Sequence, residues 1–235
     1  MRYLWATASH RGRVRDNNED SLHPTEDGVG EGPVVLMVAD GMGGHVAGEV
    51  ASQLAVNAAA ATSGNPEDRV NAGNRAIVEE TARQPELQGM GTTLTLVELG
   101  SDGVARFAHV GDSRAYLLRD GKLRQLTNDH TVASEYVAAG RLTPEEAVNH
   151  PHRHMITRAL GLTRWIKIDT FELPLESDDR LLLCSDGLTD MASADEIEAA
   201  LAVGGLDEAA WSLVEIANSA GGHDNVTVVV AGVDT

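Results

Sequence analysis

The chain of 235 residues carries 36 acidic against 18 basic side chains, a formal charge of -18, with 42% apolar residues and only 3% aromatic ones. That length suits one generous domain or two small ones, with a sizeable core built from Val, Leu, Ile and Ala rather than from rings. A surface this acidic repels nucleic acid and anionic lipid, because it offers few cations to displace phosphate counterions; the excess carboxylates serve solubility, divalent ions, or both.

No Pro- or Ser-rich linker and no repeat divides the sequence, so a single domain over 1–235 is expected. In chain order, strands are expected at Val34–Ala39, Thr92–Leu99, Val104–Val110, Ala115–Leu118, Lys122–Leu126, Arg180–Cys184 and Val226–Val233, all rich in Val, Leu and Thr. Asp102-Gly103 and Asp120-Gly121 read as the turns of two hairpins. Helical periodicity falls at Ala47–Ala61, Pro66–Gln84, Thr143–Asn149, Ser193–Leu201 and Leu206–Ala220. Pro66 and Pro144 sit where a first helical turn tolerates proline, and Ser193 with Glu196 forms a capping box. The consecutive hairpins argue against a βα alternation and for an α+β fold, an antiparallel sheet or sandwich flanked by helices. The stretch of about 128–162 lacks strong strands and is densest in His and Arg, which suggests a surface insert or flap.

A single cysteine, Cys184, rules out an intramolecular disulfide and suits a reducing compartment. It ends the run Arg180-Leu181-Leu182-Leu183-Cys184, so a buried core thiol is expected rather than a nucleophile. The arginine that a thiol phosphatase places six positions after its cysteine is replaced by Asp190. Met1 to His10 has no basic stretch before an apolar run, and no segment holds about 18 uninterrupted apolar residues, so a cytoplasmic chain without a membrane span is expected.

Three apolar runs end abruptly in aspartate: Val34–Ala39 at Asp40, Phe107–Val110 through Gly111 at Asp112, and Leu181–Ser185 at Asp186. Asp224 stands just before the run Val226–Val230. Acids at strand ends lie at the rim of the core, where isolation from water is costly and mutual repulsion calls for cations. Carboxylate oxygens suit hard divalent ions. Turn chemistry is the alternative, since Asp-Gly occurs at Asp27, Asp40, Asp102, Asp120 and Asp186. The glycine-rich stretch after Asp40 does not fit a dinucleotide fingerprint: the sixth position is Val46 and no acid follows about twenty residues on. A Walker Gly-Lys-Ser/Thr is also missing.

Six segments, in order and nearly end to end, match one family: Arg15-Asp16-Asn17-Asn18-Glu19-Asp20, Asp40-Gly41-Met42-Gly43-Gly44-His45, Gly89-Met90-Gly91-Thr92-Thr93, Val110-Gly111-Asp112-Ser113-Arg114, Ser185-Asp186-Gly187-Leu188-Thr189-Asp190 and Asp224-Asn225-Val226-Thr227. The chain resembles the protein phosphatase 2C family of metal-dependent serine/threonine phosphatases, in its bacterial branch. The resemblance implies a central sandwich of two antiparallel sheets flanked by helices on both faces, with the metal cleft at one end. It implies two to three Mn2+ or Mg2+ ions. Asp40 would bridge two of them, Glu19 and the Gly41 carbonyl would complete one ion's protein ligands, and Asp186 and Asp224 would hold the other. Asp112 with Asp186 matches a third, weaker site. Arg15 matches the phosphate-binding arginine; Asp20 and Asp190 match supporting positions. A metal-bridging hydroxide would attack phosphorus without a phosphoenzyme.

Met42 stands where many eukaryotic members have the histidine that protonates the leaving oxygen, which makes His45 the candidate general acid, direct or through water, with a plain helix-start histidine as the alternative. His150, His152 and His154 flank Pro151 at a spacing wrong for one helical face; they read as a solvated loop, or as groups brought with Arg153 near a phosphoprotein substrate. Phosphorylated proteins are the implied partners, with a cognate Ser/Thr kinase as the opposing enzyme; nucleic acid and membrane are not expected, and a monomer is the default. A phosphatase-like binding module and a small-molecule phosphoesterase are the rival readings, the first disfavoured because Glu19, Asp40, Asp112, Asp186 and Asp224 are all present.

Overall fold

Runs such as Leu181-Leu182-Leu183 show no polar alternation, and the layering explains why. The computed structural model describes residues 1–43 and 46–234. Strands β1 (Arg2–His10), β2 (Asp20–His23), β3 (Gly28–Glu31) and β4 (Val34–Met42) precede helices α1 (Val46–Ala61) and α2 (Pro66–Arg83). Strands β5 (Gly91–Thr92), β6 (Leu94–Leu99), β7 (Val104–Val110), β8 (Arg114–Arg119) and β9 (Lys122–Gln125) follow, then short helices α3 (Val132–Ala138) and α4 (Pro144–Val148). Strands β10 (Asp169–Pro174) and β11 (Arg180–Cys184), helices α5 (Asp186–Thr189), α6 (Ala194–Ala202) and α7 (Leu206–Ser219), and strand β12 (Val226–Val233) complete the order. One antiparallel sheet runs β3-β1-β12-β11-β8-β9 and the second runs β10-β7-β6-β4-β2, with β5 paired to the end of β4.

The sheets stack face to face over Tyr3, Leu36, Val38, Val97, Phe107, Leu117, Leu181, Leu183 and Val229. The outer face of the first sheet, with Leu182, Cys184, Val228 and Val230, lies under α6 and α7. That of the second, with Met37, Ala39, Leu96 and Ala108, lies under α1 and α2. Central strands are therefore buried on both faces, and side chains pointing either way are apolar. Alanines at 51, 55 and 59 let α1 lie close on its sheet, so the core closes with few rings. Cys184 is fully buried and its thiol is pushed up to about 12 by burial, the inert core thiol expected from its run. Among the described residues, no helix is long and apolar enough to cross a membrane.

The α+β sandwich matches the expectation, with local departures. The expected strand over 92–99 is split at Thr93, which turns aside to bond Asp40. Helix α2 starts at Pro66 under a reciprocal Asn65–Asp68 cap, and α6 under the expected Ser193–Glu196 box. Strand β1 has no apolar run to announce it, because Ala6 and Ala8 face the helix layer; pairing with β12 from Tyr3↔Val233 to His10↔Val226 makes it a strand. Strand β10 lies at a sheet edge and contributes only Phe171 and Leu173 to the core side, Phe171 stacking on Phe107 at 4.6 Å. Leu183→Ala, which empties space between the sheets, should cost about 3 kcal/mol, seen as a lower urea midpoint at unchanged slope.

Candidate metal centre

Each predicted acid stands where a strand leaves the core. Asp40 on β4 lies across from Asp20 on β2, with Glu19 one residue earlier. Asp112 lies between β7 and β8, Asp186 opens α5 directly after β11, and Asp224 precedes β12. Their electrostatics show that they converge. Burial, then Asp20, Asp186 and Asp112, push Asp40 well above the carboxylate range. Burial and Asp186 push Asp112 up to about 8. Burial lifts Asp20 to about 7, and burial with Asp190 lifts Asp186 to about 6. Asp186 thus adds to the effect of burial on Asp40, since neighbouring carboxylates in one buried site resist ionising together.

The backbone seats are specific. The Asp40 N–H donates to Thr93 Oγ1 at 2.8 Å, while its carbonyl accepts from Thr93 N–H at 2.9 Å and Thr92 Oγ1 at 2.8 Å. Thr93 Oγ1 also lies 2.7 Å from Ser113 Oγ, which ties the seat of Asp40 to that of Asp112. The Glu19 N–H donates to Asn225 Oδ1 at 2.7 Å, and its carbonyl accepts from Ser52 Oγ at 2.6 Å and from Gly41 N–H at 3.2 Å. Asn225 also donates to the carbonyls of Arg11 and Asn17, so one buried amide pins the whole loop carrying Arg15 and Glu19. Thr93 and Asn225 belong to the motifs noted above, but they act on backbone, and no residue type announces such a role.

The two Asp-Gly pairs at strand ends are close approaches of backbone, not hairpin turns. A Cβ at Gly41 would collide with the Gly48 carbonyl, and one at Gly187 with the Asn225 carbonyl. Arg15 is half-exposed and donates from Nη2 to Asp224 Oδ2 at 2.7 Å. Asp20 accepts from Ser185 Oγ at 2.7 Å through Oδ2, while its buried Oδ1 has no hydrogen-bond partner among the described residues. His45 lies outside the described residues.

Of the three histidines around Pro151, His150 and His152 meet edge to face, and His150 meets Tyr136 in the same way. His154 instead reaches the acids: its Nδ1 is 3.4 Å from Asp190 Oδ2, and ligand atoms of His154, Asp186 and Asp190 lie within 4.8 Å of one another. No spacing rule points to this, since the histidine arrives from a loop rather than a strand.

The predicted cluster consists of carboxylate and carbonyl oxygens, a donor set that fits hard divalent cations. Several buried carboxylates repelling one another, and a buried carboxylate oxygen left without a donor, are the environment a cation relieves.

A profile of the family described as Protein phosphatase 2C matches residues 8–206. The chain belongs to that family. It is 44% identical over 238 residues to the serine/threonine protein phosphatase PstP of Mycobacterium tuberculosis, covering 97% of this chain and 45% of PstP; it thus spans under half the length of that relative. It is 41% identical to the serine/threonine phosphatase stp of Listeria welshimeri, covering 94% of this chain and 92% of the relative. Crystal structures of PstP superpose with TM-scores of 0.91 and 0.87 at 43% identity and full coverage of both chains, the second holding two manganese ions.

The raised acids set a pH dependence. Native carboxyls at about 6, 7 and 8 hold protons that an unfolded chain has released above about 4. Their contribution to stability is thus full below pH 4 and lost as pH rises through 6 to 8. Chelator-stripped protein should melt at a higher temperature at pH 5 than at pH 8, and added manganese should reverse the deficit at pH 8; equal melting temperatures across that range would contradict the burial of these groups.

Proposed function

We propose that the chain is a metal-dependent protein serine/threonine phosphatase, hydrolysing phosphoserine and phosphothreonine on other proteins. The observation that carries this reading is the desolvated acid cluster at one end of the sandwich, an arrangement whose repulsion divalent ions offset. Asp40 would bridge two ions, Mn2+ or Mg2+. Glu19 and the Gly41 carbonyl would serve one, Asp186 and Asp224 the other, and Asp112 with Asp186 a third. Ions bound there supply a hydroxide nucleophile near neutral pH.

The protein's own part is positioning. The planar fork of Arg15 holds two phosphate oxygens, and its present bond to Asp224 keeps it beside the cluster. Ser185 holds Asp20 in place by donating to Oδ2. His45 serves as proton donor to the leaving oxygen, directly or through water. The activities named for PstP and for the Listeria phosphatase support the same substrate class here. The opposing partner is then a Ser/Thr kinase. A monomer in the cytoplasm, folded as one domain over 1–235 with a flap of about 128–162, completes the reading.

Chelator-stripped protein should release phosphate from a phosphothreonine peptide only with added manganese or magnesium, and should leave nucleotides largely intact. Asp40→Ala should reduce turnover to background. Arg15→Ala should lower kcat/KM roughly 10- to 100-fold, the worth of charge-assisted hydrogen bonds to phosphate. A folded wild-type protein inert toward phosphopeptides with every divalent ion tried would sink the proposal.

A further inference from the structure

Besides His154, a buried histidine joins the segment between β9 and β10 to the turn that carries Asp112. His130 is 4% exposed; it meets the turn before Asp112 twice and its own segment once. Its N–H donates to the Gly111 carbonyl at 2.8 Å, its Nδ1 accepts from the Gly111 N–H at 3.0 Å, and its carbonyl accepts from Thr157 N–H at 2.7 Å. On the far side of the ring, Nε2 lies 3.2 Å from Asp169 Oδ2 and 3.0 Å from Arg158 Nη1, and Arg158 Nη1 donates to Asp169 Oδ1 at 2.8 Å. His109 lies beside the ring, with centroids 4.8 Å apart.

This geometry determines the tautomer. A backbone N–H can only donate, so Nδ1 of His130 carries no proton; a neutral imidazole then has its proton on Nε2, where Asp169 is the acceptor because the Arg158 guanidinium offers only donors. Asp169 orients the ring, and the ring holds the Gly111 peptide. The next residue is Asp112, buried beside Asp186. Carboxylate–histidine relays that orient a ligand from behind typically change metal affinity by 10- to 100-fold when broken.

We propose that His130 is a positioning residue: its Nδ1 holds the Val110–Gly111 peptide and its backbone N–H the Gly111–Asp112 peptide, and together they fix the direction of the Asp112 carboxylate toward a divalent ion. The inference rests on the reading of Asp112 as a metal-binding acid. It gives the segment 128–162 a role in metal binding that no ligand of its own is needed to supply.

Calorimetric titration of the chelator-stripped protein with manganese tests it, with amide exchange at Gly111 followed by NMR. Asn places an oxygen near the position of Nδ1, whereas Gln reaches toward Nε2. His130→Asn should therefore keep the weakest class of manganese binding and the protection of the Gly111 amide. His130→Gln should weaken that class about tenfold or more and expose the amide, leaving the tighter ions unaffected. Should His130→Gln not fold, Asp169→Ala makes the same test, since it frees the ring from behind. Asp112→Asn is the control: if the weak class survives it, the metal reading of Asp112 fails and this inference with it. If Asp112→Asn removes the weak class while His130→Gln binds it as tightly as wild type, or if Asn and Gln are equally impaired, the inference alone is overturned.

Discussion

Carboxylates gathered at the ends of buried strands lose hydration and repel one another, and the surroundings of the cluster are arranged to hold them there regardless. Their seats are made by neutral groups. Thr92 and Thr93 grip the backbone of Asp40, Ser185 bonds Asp20, and Asn225 pins the loop before Glu19. The nearby guanidinium of Arg114 is taken up by Asp129, and that of Arg158 by Asp169. Among the described residues, Arg15 is the guanidinium that hydrogen-bonds a cluster acid. Neutral donors orient a carboxylate without satisfying its charge, so the attraction for a cation is left intact.

Such an arrangement needs a scaffold that does not give way. Two sheets, each covered by helices, bury the central strands on both faces, and the residues beneath the acids are small or branched aliphatics in close contact. A strand clamped on both sides cannot slip register without moving its outer and inner side chains together. The carboxylate at its end is therefore placed by the whole sandwich rather than by its own loop.

What the sequence reveals of this follows from physics. Asp40, Asp112 and Asp186 are legible because a strand with no polar alternation stops at an acid, a pattern that costs free energy unless something receives the charge. The double-faced strands Val34–Ala39 and Arg180–Cys184 are legible for the same reason. Strand β1 is not, since Ala6, Thr7, Ala8 and Ser9 carry weak signals and become a strand only by pairing with β12. Thr93 and Asn225 act on main-chain groups, which no side-chain pattern records. His154 reaches Asp190 from a loop, and His130 reaches Gly111 from another; only the folded chain brings either pair together.

The pairing of β1 with β12 has a consequence during synthesis. Every long strand of the second sheet has emerged by Pro174, but the first sheet has no centre until Val226–Val233 arrives to sit between β1 and β11. At translation rates of about 5–20 residues per second, those roughly 50 intervening residues leave the gap open for about 3 to 10 s. From Cys184 onward, two hydrogen-bonding edges, one on β1 and one on β11, face each other across an empty lane. The nascent protein is then most exposed to pairing with strands of other chains, and the arrival of β12 removes both edges at once.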